Sequence, residues 1–388
     1  MRQRALDLTS PAFGKQALAH LRDWLCQQLP FYAVGTKVND AVLWTMLCYA
    51  ATRRTTLEQT ALRLAQVPSA NRAREQLRAC LPTDHTGLPQ LEHRLNQALH
   101  AQVPPKLRKR LRKRRVEVAL EITDLPYHGQ PEVDEQEIRR SQAKSGTTHF
   151  HSYASLQIVH QRQRLTLALT WVGKGEGMAQ VVARLLAQGR SLGLRVQCLY
   201  ADKGFASVAV LRLLRARRIP YIVALPHKGA LKTLCQVHRT RRFGYTFHAG
   251  TRQAYPTDVV CVTRQLARQV KTFAYAVYRS DAGALTQIYE RYRRRFSIES
   301  GYRQSHQVRP RTASRHPGLR LVLFALSLFL VNAWVLYRQV CAVVTAAGQR
   351  FRLHGLTLEA LVSTLQEAIQ QLCGLRPIIQ ALPLHAIT

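Results

Sequence analysis

Asp202 in RVQCLYADKGF, Glu299 in YRRRFSIESGYRQSH, and Glu121 or Asp124 in VEVALEITDLPY are the carboxylates whose surroundings suggest chemistry. They belong to a 388-residue chain with 57 Lys and Arg against 22 Asp and Glu, a formal charge of +35. Such a balance predicts a polyanionic partner. Carboxylates kept among so many cations are suited to holding a divalent metal, Mg²⁺ or Mn²⁺, against a phosphodiester. One metal lowers the pKa of an attacking water or activates a hydroxyl, and a second stabilises the leaving oxygen. The expectation is a metal-dependent enzyme acting on DNA. Plainer roles stand beside it: Asp202 as a turn cap, and Glu299 as an intrahelical partner of Arg295 or Arg303.

The elements that must position these residues are legible in the apolar pattern. Residues 1 to about 100 read as helical, with apolar spacing over Lys15–Gln28, Asp40–Arg54 and Thr56–Ala65. Thr56 and Gln59 have capping-box spacing, and a further helix begins near Ser69. The two short helices around Gln66–Ser69 admit a helix-turn-helix reading or ordinary packing. After Arg115 the period becomes that of strands: VEVALEIT, SYASLQIVH and RLTLALTWV. A helix from Met178 to Gly189, the strand RVQCLYA, a helix from Ser207 to Arg217 and the strand in PYIVALP follow. That order predicts an α/β fold with a mixed sheet, in which ligand-binding residues lie near strand ends. Residues 227–282 read as a strand-rich insertion, and a helix is expected over about 284–306. The expected division is 1–105 for DNA binding and assembly, 106–115 as a basic connector, 116–226 and 283–345 as catalytic segments, and 346–388 as a helical tail.

Several other residues are assigned to DNA. The run Lys106, Arg108, Lys109, Arg110, Arg112, Lys113, Arg114 and Arg115 has no acidic neighbour to balance it, and is expected to contact phosphates. Lys144, His149 and Lys203 are further candidate contacts. Eight cysteines form no CxxC pair and fifteen histidines no HExxH, so neither set predicts a metal centre. The cysteine usage suits a reducing cytosol, and a cytoplasmic, nucleoid-associated protein is expected. The segment Lys174–Gly177 lacks a phosphate-loop pattern, so ATP use is not expected. Leu321–Tyr337 is long and apolar, but Ser327 and Asn332 interrupt it. A helix buried within the protein is expected there, rather than a membrane span.

Taken together, YADKGFASVAVLRLLRARRIPYIVALP, the Tyr292–Arg295–Glu299 series, EITDLPYHGQ and KSGTTHFHSYA resemble the ordered blocks of the DDE transposases of bacterial insertion sequences. The resemblance covers roughly 116–340. It implies an RNase H-like catalytic core in which Glu121, Asp202 and Glu299 are the catalytic metal ligands. It also implies cleavage at terminal repeats and strand transfer into target DNA, by a homo-oligomer assembled on paired ends. Arg295 and Tyr292 are then placed near the DNA backbone. The family commonly has an aspartate where Glu121 stands, and a lysine where His306 stands. Glu121 keeps the charge one methylene further out, and Asp124, three residues on, is the alternative first carboxylate. On a regular strand the two point to opposite faces. A DNA-binding descendant with impaired catalysis and a metal-dependent nuclease without strand transfer are the rival expectations.

Overall fold

The computed structural model describes residues 11–33, 35, 37–129, 136–159, 165–267, 269–280, 283–295, 304–346 and 356–377, with side chains to 339 in the penultimate helix. Two compact units emerge, one of residues 103–301 and one of residues 1–102 with 302–388.

The helical unit contains α1 (Pro11–Gln28), α2 (Asp40–Arg53), α3 (Leu57–Arg63), α4 (Ala70–Cys80) and α5 (Leu88–Gln102). Asn39, Thr56 and Ser69 cap α2, α3 and α4 by accepting backbone N–H bonds through their side chains. The stretch after α3 bonds to the end of the last helix, Leu358–Cys373, through Ala65 N to Gly374 O and Gln66 N to Cys373 O.

The long apolar helix Pro317–Ala346 belongs to this unit. Its apolar stretch, Pro317–Gln339, is long enough to cross a membrane, yet 83% of its most apolar window is buried by other parts of the protein. Its polar residues are accommodated as in a protein core. Ser327 donates to Phe324 O at 2.6 Å. Asn332 donates to Gln102, which in turn donates to Phe329 O, each at 3.1 Å.

The other unit is built on one nine-stranded sheet. A short helix, α6 (Pro105–Lys113), leads into β1 (Arg115–Tyr127), and β2 (Ile138–Lys144), β3 (Thr147–Ile158) and β4 (Thr166–Trp171) follow. Helix α7 (Met178–Ser191) returns the chain to β5 (Arg195–Ala201), and α8 (Val208–Ala216) leads to β6 (Tyr221–Ala224). Strands β1, β5 and β6 are parallel, whereas β3 runs antiparallel to β1 and β4 to β3. The core order β4-β3-β1-β5-β6, with helices in the crossovers, is the expected RNase H-like mixed sheet. Its centre is dry: Val118, Ala119, Leu120, Cys198, Leu199 and Tyr200 are fully buried, as strands covered on both faces must be.

The strand-rich segment does not form a separate layer. After α9 (Ala230–Gln236), strands β7 (Arg241–Phe247), β8 (Tyr255–Leu266) and β9 (Gln269–Tyr278) continue the sheet beyond β6, with β9 paired to it. Helix α10 (Leu285–Arg293) follows. It covers less than the helix expected over 284–306, because Arg294 and Arg295 form a turn. Residues 296–303, Glu299 among them, lie outside the described residues. The basic connector is itself helical, with Pro105 in its first turn and Leu111 fully buried.

Candidate active site at the carboxyl ends of the central strands

The pairing of β1 with β5 runs through Ala119 opposite Tyr200. Continued by two residues, that register brings Glu121 abreast of Asp202, on the pleat face that also carries Glu117. Glu117 is a residue that sequence reading left without a role. Its carboxylate accepts the Tyr200 hydroxyl at 2.7 Å and pairs with Arg294 at 3.3 Å and Arg291 at 3.7 Å. This cluster seats the end of α10 over the Glu117 face of β1. The signal available in the sequence was parity, because residues 117, 119 and 121 alternate onto one face.

Asp202 follows β5 directly and caps a single 3₁₀ turn, Lys203–Phe205. Its Oδ1 accepts Gly204 N–H at 2.9 Å, and the fully buried Phe205 anchors the turn. Burial pushes the Asp202 carboxyl above its ordinary pKa, and the charge of Asp124 pushes the same way. Arg295 and the N–H groups of Gly204 and Phe205 oppose both. Arg295 is only 6% exposed. Its guanidinium stacks over Tyr292 at 5.2 Å, and Tyr292 packs against Tyr275 of β9 at 4.8 Å. Asp202, Lys203, Tyr292 and Arg295 line one cavity of about 1020 Å³. Two segments remote in the sequence thus meet at one place.

Asp124 lies near the carboxyl end of β1, opposite Ser152 of β3, whose hydroxyl donates to it. It lies on the other pleat face from Glu121, and its charge adds the smallest of the influences at Asp202. The strands end there, and the turn at Gly204 passes Ile122, a neighbour of Asp124 on its own face. The hairpin of β2 and β3 extends beyond the same end, turning at Ser145 and Gly146, both left-handed. It carries Lys144, which is exposed, and His149, whose Nε2 accepts from Arg140 Nε at 3.2 Å.

The remaining sites lie elsewhere. Helix α6 and Arg115 sit at the amino ends of the strands; Arg115 is six residues from Glu121, roughly 20 Å along the strand. Residues 106–115 are therefore not brought to the carboxylates. His306 belongs to the helical unit, in a short helical stretch over 304–307.

The donor atoms gathered at the strand ends are all carboxylate oxygens, the hard donors that Mg²⁺ and Mn²⁺ take. Asp124 and Asp202 are therefore of the donor type that such an ion takes. Among the described residues no group of three or more His, Cys, Asp or Glu is placed to hold a metal.

No curated protein sequence matches the chain. Among solved structures it is similar to a chain of the piggyBac transposase synaptic complex with hairpin DNA, at a TM-score of 0.52 and 9% identity. That similarity covers 96% of this chain and 84% of the other, and at such low identity it speaks for the fold alone. Residues 106–331 match the family described as the transposase DDE domain. With more than half its length inside that match, and Asp202 set at the carboxyl end of a central parallel strand, the chain belongs to the DDE transposase family.

Proposed function

We propose that the protein binds DNA as a transposase-family protein does, with a cleavage centre impaired at its first carboxylate. The observation that carries this reading is the split at that position. The residue expected as the first ligand is Glu121, with its carboxylate one methylene further out than an aspartate's, while Asp124 lies on the opposite pleat face of β1. Mg²⁺ demands near-ideal octahedral geometry, and a ligand displaced by one methylene or by one pleat departs from it. The charge of +35 supports a DNA partner whatever the catalytic power.

In this reading Glu121, Asp202 and Glu299 hold Mg²⁺ or Mn²⁺, with Asp124 competing for the first place. The bound metal supplies activation of the attacking oxygen and stabilisation of the leaving one. Arg295, fixed by Tyr292, orients a phosphate beside Asp202, and Lys203 adds a second cation at the same cavity. The hairpin residues Lys144 and His149 hold the backbone beyond the strand ends. The ligands are the terminal repeats of an element and target DNA, engaged by a homo-oligomer on paired ends in the nucleoid.

The place of Asp124 near the carboxyl end of β1, where the Asp202 turn passes Ile122, favours a second reading, in which Asp124 replaces the missing aspartate and the protein is an active transposase. A third outcome, cleavage without joining, marks a nuclease. Purified protein incubated with element ends and Mn²⁺ separates these readings when products are mapped at nucleotide resolution. Specific end binding with feeble cleavage supports the impaired centre. Efficient cutting and joining lost in Asp124→Ala supports the active one, and absence of any end preference overturns both.

A further inference from the structure

The amino ends of β1 and β5, opposite the carboxylates, border a cavity of about 710 Å³ that the proposed chemistry does not use. Arg115, Arg190, Arg195, Arg217, Arg218 and Arg279 line it, together with apolar residues and no carboxylate. Arg115 and Arg195 are direct partners across the parallel pair β1 and β5, where like charges side by side repel. Among the described residues none of the six has a carboxylate partner.

The backbone around this cavity is shaped to present these charges. Arg218 occupies a left-handed position, φ 53°, after α8, where glycine is the unstrained choice. Gly193, at φ +75°, leaves space that the stem of Arg112 occupies, since a Cβ there would meet Arg112 Cγ at 2.7 Å. The basic helix α6 therefore brings one of its cations beside the rim. Arg217, half-buried, is held below its ordinary pKa by burial and by the charge of Arg190.

Cations crowded in this way are relieved by a fixed array of anions, and guanidinium groups match phosphate oxygens in pairs. Arg195 lies seven residues before Asp202, roughly 23 Å along β5, so one phosphate cannot touch both ends. We propose that this arginine cavity is a second phosphodiester-backbone site, gripping duplex DNA at the amino ends of the central strands, away from the carboxylates. The proposal rests on the reading of the chain as a DNA-binding protein, and gives the basic segment 106–115 its place at this rim.

The test measures binding of the full chain to a duplex by fluorescence anisotropy across a salt series. The variants are Arg115→Gln/Arg190→Gln/Arg195→Gln, the same three positions changed to Lys, and a charge-matched control, Lys232→Gln/Arg239→Gln/Arg252→Gln. Thermal melting checks the fold of each, and the Lys triple keeps the test valid if the Gln triple does not fold. The expected result is a loss of about tenfold or more in affinity and a log–log salt slope smaller by about 2–3 in the Gln triple, at about 0.9 per phosphate contact. The Lys triple retains most of the slope, and the control leaves it unchanged. An unchanged slope in a folded Gln triple, or an equal fall in the control, overturns the proposal. So does loss of stabilisation by inorganic tripolyphosphate with DNA binding intact, which assigns the cavity to a free polyanion instead. Wild-type protein that binds no DNA sinks the functional reading itself, a result distinct from all of these.

Discussion

Glu117 of β1 and Arg294, immediately after α10, form an ion pair at 3.3 Å across 177 residues of sequence. The carboxylate is half-buried and also accepts the Tyr200 hydroxyl, whereas Arg294 is largely exposed. The pair, together with Arg291 and the Tyr200 hydroxyl on the same carboxylate, therefore ties α10 to the sheet, with the exposed Arg294 contributing the smaller share.

Glu117→Gln is expected to lower unfolding stability by about 1–3 kcal/mol, because Arg291 and the Tyr200 hydroxyl lose a charged partner. Tyr200→Phe should cost less, about 0.5–1.5 kcal/mol. Urea denaturation of both variants checks the order. Equal stability of Glu117→Gln and wild type contradicts the seating role.

Leu111 is the fully buried anchor of the basic helix α6. Leu111→Ala should destabilise by about 2–5 kcal/mol, while Lys109→Ala on the exposed side should change stability by less than about 0.5 kcal/mol. If the two variants melt alike, α6 is not packed on β1 and β5 as described.

The thiols of Cys48, Cys198 and Cys261 are each pushed up to about 12 by burial. At pH 8 their thiolate fraction is roughly a thousandfold below that of an unfolded cysteine near 8.5. Alkylation followed by mass spectrometry should leave these three unmodified in the native chain and label them in urea. Rapid native labelling at any of the three contradicts the packing around it.

His316 is held below its ordinary pKa, first by burial and then by the nearby charge of Arg78. Its folded pKa is thus below its unfolded one, so the unfolded chain binds the proton first as pH falls. The contribution of this group to stability is complete above about pH 6.5 and is lost as pH falls through the folded value. His316→Gln should flatten the acid side of the stability profile, measured by denaturation between pH 7 and 5. An unchanged slope removes His316 as a source of the acid sensitivity.

The central strands were legible because their burial is periodic or continuous: β1, β3, β4 and β5 all appear as apolar runs at the right places. Asp202 was legible because a charged residue directly after RVQCLYA can lie only at a strand end. Strand β2 was not, since IRRSQAK is an edge strand with mostly exposed polar side chains and lacks a buried stripe. The helical state of 105–113 was hidden by its charge, because one buried leucine anchors nine residues. The roles of Glu117 and of the arginine cavity depend on pairings between β1, β5 and distant helices, which local periodicity does not encode. The burial of Arg295 over Tyr292, beside Asp202, likewise depends on tertiary packing that local periodicity does not encode.

The most direct test of the impaired centre is the initial rate of end cleavage in Mn²⁺ by wild-type protein and by Glu121→Asp, with end affinity measured in parallel. The account predicts that shortening this side chain raises cleavage by about tenfold or more, about 1.4 kcal/mol in barrier, with affinity for the ends unchanged. Rapid cleavage and joining by the wild-type chain, left unchanged or reduced by Glu121→Asp, would contradict it.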